Sequence, residues 1–298
     1  MSTFTDFSNG LTSAVQKGGG STVLIDARRR YPASGIVYAS DLILTADHVV
    51  TREENLNAAG ADGKSYPATI AGRDPGSDLV LLRLAEKAFT PASIAKEEPK
   101  VGQLVLALGR PDNSGVQASW GIITALGGPT RTGRGGLLDA YIQTETTSYP
   151  GFSGGPLVNT EGEVLGLNTS GLAHGTALTI PIKSAWRTAD SLAKHGTVKR
   201  GYLGVRTQSV DLPESARKEL KNKQEHGLLV LWLEDKGPAE QGGLLVGDIL
   251  VRISEQMVGD PDDLYSALNS ETVGKSIAVE ILRGGKSQVI KVTVGERK

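Results

Sequence analysis

Three short segments constrain this chain of 298 residues more than anything else in it: LTADHVV around His48, DPGSDLVLLRL around Asp78 and GFSGGPLV around Ser153. A histidine, an acid and a serine stand in that order, 30 and 75 residues apart. Chemistry that uses all three tolerates only ångström errors, so the fold must bring distant strand ends together on a rigid frame. STVLIDA, SGIVY, DLILTA, LVLLRL, QLVLALG, GIITAL and GEVLGLN supply such a frame, being short β-rich runs bounded by glycine, proline or aspartate. They fit sheets that close into two barrels with a cleft between them. The 38 glycines and 13 prolines suit many tight turns rather than long helices, which makes all-β the dominant class.

A serine hydroxyl is a poor nucleophile until a neighbouring imidazole takes its proton, and that imidazole must be held in one tautomer. The expectation is that Ser153 attacks a carbonyl, His48 accepts the proton and returns it to the leaving amine, and Asp78 orients the ring. The glycines around Ser153 add a second part, because backbone N–H donors must face the oxyanion of the tetrahedral intermediate without side chains in the way. The hole is assigned to Gly151, Phe152 and Ser153, with Gly151 and Ser153 as donors. Pro150 has no N–H to lose in such a turn. Singly, each segment has a structural reading: a glycine-rich turn, a buried strand with a satisfied histidine, a turn-capping aspartate. Together they point to peptide-bond hydrolysis.

Those residues resemble the HtrA/Deg-type serine proteases, whose ILTNNHVV, DxxxDLAVL and GNSGGPLVN motifs have LILTADHVV, DPGSDLVLLRL and GFSGGPLVN as counterparts here. The resemblance covers nearly everything after about residue 20, IQTETTSYPGFSGG and ALTIPI included. It implies a mainly β chain, a chymotrypsin-like double β-barrel followed by a PDZ domain, divided as an amino-terminal arm (1–20), a trypsin-like domain (21–195) and a PDZ domain (196–298). It also implies an S1 pocket walled by Thr147, Ser148 and Tyr149 and by Asn168, Thr169, Ser170, Gly171 and Leu172. Trypsin has a carboxylate six residues before its serine where this chain has Thr147, so small to medium apolar side chains are the expected preference. PAEQGGLLVGDILVRI matches the PDZ pattern, with Asp248 expected to fix a turn. Tyr202, Leu203, Gly204 and Val205 correspond to its carboxylate-binding loop. Leu264 and Leu268, on the helix expected in DPDDLYSALN, stand at i, i+4 and divide evenly between core packing and ligand contact. Such proteases assemble as trimers through amino-terminal contacts, a role open to Phe4 and Phe7 beside packing on their own domain. Phe152 departs from the family's asparagine. It cannot form the ion pair that switches on digestive zymogens, and it puts the packing of the oxyanion loop in question.

Lysine and arginine number 32 against 33 acidic residues, a net charge of −1, so no broad electropositive field exists for nucleic acid. No cysteine is present, and neither a metal nor any other cofactor is expected. The GKS strings at 274–276 and 285–287 lack the upstream glycine of a phosphate-binding loop and read as hairpin turns. KELKNKQEH, residues 218–226, reads as an exposed linker face. His174 is a possible pH tuner but more simply an exposed loop histidine, and His195 and His226 have no evident partner. No transmembrane run occurs, and the amino terminus lacks signal-peptide character, which implies a cytoplasmic protein if Met1 is native and a periplasmic or otherwise extracytoplasmic one if a leader has been removed. The leading function is an ATP-independent endopeptidase for misfolded or unfolded proteins that captures peptide carboxy termini. A regulatory protease with one substrate and a catalytically idle chaperone or scaffold are the alternatives.

Overall fold

The computed structural model describes residues 3–29, 31–132, 136–172, 178–220, 224–268 and 272–296. The chain separates into two compact units, Met1–Val198 and Lys199–Lys298.

In the first unit helix α1 (Thr3–Gly19) precedes two closed six-stranded barrels. β1 (Thr22–Asp26), β2 (Ala33–Ala39), β3 (Leu42–Ala46), β4 (Leu56–Ala59), β5 (Ser65–Asp74) and β6 (Leu79–Leu84) close the first, in the order β1-β2-β3-β6-β5-β4. β7 (Leu104–Gly109) and β8 (Gln117–Gly127) begin the second, and the short pair β9 (Thr130–Arg131) and β10 (Leu137–Leu138) stands apart from it. β11 (Tyr141–Thr144), β12 (Pro156–Val158), β13 (Val164–Thr169) and β14 (Leu178–Pro181) complete that barrel, in the order β11-β14-β13-β12-β7-β8. This is the mainly β double barrel expected from the sequence.

β3 and β6 read as nearly continuous apolar runs because both of their faces are covered. Leu79, Val80, Leu81 and Leu82 are all fully buried. Helix α2 (Ile182–His195) supplies part of the cover, laying Ile182, Ala185, Ala189 and Leu192 on β5, β6 and β13 at the spacing of one helical face. It stops at Gly196, whose φ of +72° is the left-handed cap that glycine adopts without strain, and whose N–H closes on the Leu192 carbonyl at 2.9 Å. The carboxy-terminal half of α1 packs on its own unit through Ala14, Gly18 and Gly19, whereas Phe4 and Phe7 remain exposed.

The second unit comprises β15 (Gly201–Tyr202), β16 (Val205–Asp211), β17 (His226–Leu233), β18 (Ile249–Ile253), β19 (Gln256–Met257), β20 (Ser276–Arg283), β21 (Lys286–Thr293) and β22 (Gly295–Glu296). The main sheet runs β16-β17-β18-β20-β21, so β16 is an edge strand. Helices α3 (Glu214–Leu220), α4 (Pro238–Gln241) and α5 (Pro261–Ala267) lie between the strands. Asp248 is buried and accepts from Nε and Nη2 of Arg283, each at 2.7 Å, together with the Leu245 N–H, so it fixes a turn. Gly284 and Gly285, both with positive φ, form the β20–β21 hairpin turn, and Gly274 turns before β20.

Two features differ from the linear reading. Residues 218–220 belong to α3, where Leu220 is buried with Ala216, Val251 and Leu282. One apolar i, i+4 pair among charged residues is too weak a pattern to show this. His226 does have a partner, since its Nδ1 lies 2.9 Å from Asp211 Oδ1 across the β16–β17 pair.

Helix α5 borders the edge strand and begins with a reciprocal cap: Asp260 Oδ1 accepts the Asp262 and Asp263 N–H groups at 2.8 and 2.9 Å, while Asp263 accepts the Asp260 N–H. Asp260→Ala is expected to destabilise the second unit by about 1 kcal/mol and to speed amide exchange in α5 first. Urea unfolding followed by hydrogen exchange measures both.

Candidate active site

The site is built on strand ends. β3 leads into a short 3-10 turn, Asp47–Val49, that carries His48. Asp78 stands just ahead of β6, with a φ of +56° that aspartate tolerates better than most residues. Its backbone is fixed on both sides, the N–H donating to Pro75 O at 3.2 Å and the C=O accepting from the Asp47 N–H at 3.0 Å.

The fully buried Asp78 carboxylate accepts the His48 backbone N–H on Oδ1 at 2.8 Å and faces His48 Nδ1 with Oδ2, also at 2.8 Å. Thr169 Oγ1, at the end of β13, donates to the same Oδ2. Burial pushes the Asp78 carboxyl up, but the hydrogen bonds and charge of His48 and the Thr169 hydroxyl outweigh it and hold the group below its ordinary 3.8. An ionised carboxylate only accepts, so His48 carries its proton on Nδ1 and presents the Nε2 lone pair. Gly171 lies flat against this pair: a Cβ there would fall 2.6 Å from His48 Nδ1 and 2.7 Å from Asp78 Oδ2.

Ser153 reaches this group from the other barrel. Its Oγ bonds Ser170 Oγ at 3.1 Å, and among the described residues it has no hydrogen bond to His48. Ser170 directly precedes Gly171, which lies against the imidazole, so the Ser153 hydroxyl is turned to a side chain one residue from that contact.

The turn around Ser153 sorts its own donors. The Phe152 N–H closes on Tyr149 O at 3.0 Å, Gly154 on Asn168 O at 2.8 Å and Gly155 on Phe152 O at 2.9 Å. The N–H groups of Gly151 and Ser153 have no acceptor among the described residues. Two donors are thus left for an oxyanion, the pair expected from the sequence, whereas Phe152 contributes its side chain rather than its amide. Gly151 must be glycine, with a φ of +90° and its missing Cβ only 2.6 Å from Pro111 Cβ. Phe152 is fully buried in the second barrel with Val105, Ala107 and Ile142, above Gly109, where a Cβ would come within 2.5 Å of the ring. Tyr149 closes over it edge-on, with ring centroids 5.4 Å apart. The residue that put the loop in question is therefore an apolar anchor for it.

Of the expected S1 wall, Thr147, Ser148 and Tyr149 form an exposed rim, with Thr147 O accepting from Ser119 Oγ at 2.9 Å. Asn168 and Thr169 are buried and structural, Asn168 Oδ1 accepting from Thr179 Oγ1 at 2.7 Å. Leu172 lines a recess of about 230 Å³ with Tyr141, Gln143 and Leu178. His174 lies outside the described residues. In the second unit, Leu203, Leu264 and Leu268 share one buried core cluster with Val205 against it, which places Leu264 of α5 and Leu268 just past its end in the core. The Leu203 and Gly204 N–H groups have no acceptor among the described residues, and Gly204 takes a φ of +76°. That leaves two donors beside the free edge of β16.

Among the described residues no group of acids and histidines has metal-ligand geometry, and no helix is long and apolar enough to cross a membrane.

Because its folded pKa is depressed, Asp78 contributes stability that is complete above about 3.8 and is lost as the pH falls through the lower folded value. Thr169→Val removes one donor and lets that value rise. It is expected to lower stability near pH 7 by about 1.5–3 kcal/mol, and the gap to the wild type should narrow near pH 3. Urea unfolding at the two pH values measures the difference.

Comparison with known proteins agrees with this geometry. The trypsin-like peptidase domain family matches residues 33–167 and the PDZ domain family residues 201–294. A probable periplasmic DegP-like serine endoprotease of Pseudomonas fluorescens is 35% identical over 271 residues, covering 88% of this chain and 56% of its own length. A protein of the same description from Rhizobium meliloti is 35% identical over 278 residues, covering 90% of this chain and 54% of its own. The chain thus spans little more than half the length of these curated relatives. Among solved structures, the HtrA-type protease AlgW with a tripeptide superposes with a TM-score of 0.81 at 29% identity, covering 97% of each chain. A serine endoprotease from Yersinia pestis does so with 0.78 at 28%, covering 97% of this chain and 98% of that one. With these relatives, a double barrel that joins His48 to Asp78 and leaves two free amides at Gly151 and Ser153, and a PDZ-type sheet in the second unit, the chain belongs to the HtrA/DegP-like family of trypsin-like serine proteases.

Proposed function

We propose that this chain is an ATP-independent serine endopeptidase that cuts unfolded or misfolded polypeptides and captures peptide carboxy termini on its PDZ unit. The observation that carries this reading is the buried Asp78 carboxylate on His48 Nδ1, at 2.8 Å, with Ser153 and two free amides beside it. Rotation of the Ser153 hydroxyl from Ser170 to His48 Nε2 starts the reaction. Oγ then bonds to the substrate carbonyl carbon as its proton passes to Nε2, and the carbonyl oxygen becomes an oxyanion between the Gly151 and Ser153 N–H groups. Collapse breaks the C–N bond, and His48 returns the proton to the leaving amine. Water, activated by the same imidazole, hydrolyses the acyl-enzyme and restores Ser153.

Thr147 in place of a carboxylate and the Leu172 side of the site support small to medium apolar side chains at the cleaved bond. The edge strand β16 and the Leu203 and Gly204 amides support β-augmentation by a peptide terminus. The exposed Phe4 and Phe7 supply apolar surface for the trimer usual in the family. The relatives' description as periplasmic favours the extracytoplasmic alternative over the cytoplasmic one.

The contact of Ser153 with Ser170 favours a second reading, an idle site on a chaperone-like protein. β-casein digestion by the wild type beside Ser153→Ala and His48→Ala decides between them. Each variant is expected to lose about 10⁵- to 10⁶-fold in turnover. Equal digestion by all three contradicts the mechanism, and a folded wild type inert to both casein and a fluorophosphonate supports the idle site.

A further inference from the structure

Arg110 is a buried cation that the mechanism above does not use. Its side chain is 6% exposed, and among the described residues no carboxylate pairs with it. Nε instead donates to Thr22 O at 2.8 Å and Nη2 to Gly19 O at 3.2 Å. Gly19 is the last residue of α1, so the guanidinium caps the negative end of that helix's dipole, which together with the Thr22 carbonyl offsets the buried positive charge. The neighbouring carbonyl, Gly18 O, is already satisfied by the Ser21 and Thr22 hydroxyls. The approach is close: a Cβ on Gly18 would lie 2.8 Å from Leu108 Cδ1 in β7.

The backbone of the same residue faces the other way, toward the Ser153 turn. The Arg110 N–H donates to Ser34 Oγ at 2.8 Å, and Ser34 Oγ donates to Gly151 O at 2.7 Å. Ser34 is fully buried, and its own N–H donates to Ser153 O at 3.2 Å. Pro111, next in the chain, packs on Gly151. The Gly19 carbonyl at the end of α1, Arg110, Ser34 and Gly151 are therefore linked in one continuous buried path.

We infer that Arg110 is a positioning residue for the oxyanion turn: α1 holds its guanidinium, and its backbone, through Ser34, and Pro111 hold Gly151 where the two free amides converge. The amino-terminal helix thereby supports the oxyanion turn, because unseating it takes the Gly19 carbonyl and the helix dipole away from the buried Arg110 guanidinium and leaves it only the Thr22 carbonyl, and the chain at 110–111 shifts in response. This inference rests on the endopeptidase reading for its consequence in rate and on geometry alone for its consequence in structure.

The test uses the full chain with Arg110→Met, Arg110→Lys, Ser34→Ala and the Arg110→Lys/Ser34→Ala double variant. Turnover of an apolar fluorogenic peptide and fluorophosphonate inactivation are read beside amide exchange at residues 151–155. Arg110→Met is expected to lower kcat and the inactivation rate together by about 10- to 100-fold, the range of a weakened oxyanion donor, with KM changed less than about twofold. Exchange at 151–155 should rise in the folded protein. Arg110→Lys, which keeps the charge on a single donor nitrogen in place of the two that reach Thr22 O and Gly19 O, should fall between wild type and Arg110→Met. The double variant should be no worse than its more damaging single, because the two groups act along one path. Wild-type kcat and exchange in Arg110→Met, or independent multiplication of the two single effects, overturns the inference. Should Arg110→Met not fold, Ser34→Ala and Arg110→Lys decide by the same two readouts. A wild type inert to the probe would sink the endopeptidase reading, while exchange at 151–155 still judges Arg110.

Discussion

The Asp78 carboxylate is the point at which the two barrels of the first unit become a site. It is fully buried, and it is satisfied from two directions: by the backbone and ring of His48 at the end of one strand of the first barrel, and by the Thr169 hydroxyl at the end of β13 in the second. A buried carboxylate short of donors would take up a proton and could no longer hold the imidazole. Here three donors keep it ionised, and that fixes the His48 tautomer. Gly171, pressed on the same pair, carries Ser170 to the nucleophile. Loss of this carboxylate would leave the imidazole free to turn.

Around that charge the core of the serine turn is held by apolar packing. Phe152 is sunk in the second barrel over Gly109 and covered by Tyr149, so the turn is anchored by apolar packing where digestive enzymes use an ion pair made by a freed amino terminus. A turn fixed in this way needs no chain cleavage to form. What remains to be set is fine: the hydroxyl must leave Ser170 for His48, and two amides must face one small volume. The path from α1 through Arg110 and Ser34 bears on the second of these.

The double barrel and the turn and strand ends that carry His48, Asp78 and Ser153 were readable because they rest on patterns that local physics imposes. Glycine is compulsory at 151 and 154, where φ is positive, and apolar runs mark β3 and β6, which are covered on both faces. Side-chain contacts made across long separations left no such trace. The resemblance gave Thr169 a place in the S1 wall, and its bond to Asp78 emerges only when β13 is placed beside that carboxylate, 91 positions away; Arg110 reads as an ordinary strand-end arginine until α1 is docked. Helix α3 was hidden for a different reason: its short apolar face, Ala216 and Leu220, is outnumbered by charges. The i, i+4 pair Leu264 and Leu268 was legible as a pair, and only the packing of the second unit assigns it to the core.

The central claim is that Gly151 and Ser153 form a preset oxyanion hole served by the Asp78–His48 pair. A crystal structure of the chain after reaction with a small fluorophosphonate tests it most directly. The account predicts phosphorus on Ser153 Oγ, the contact with Ser170 broken, and one phosphoryl oxygen within about 3 Å of both amide nitrogens, with the rest of the turn unmoved. A folded protein without adduct, or an adduct whose oxygen points to solvent while those amides bind elsewhere, would contradict it.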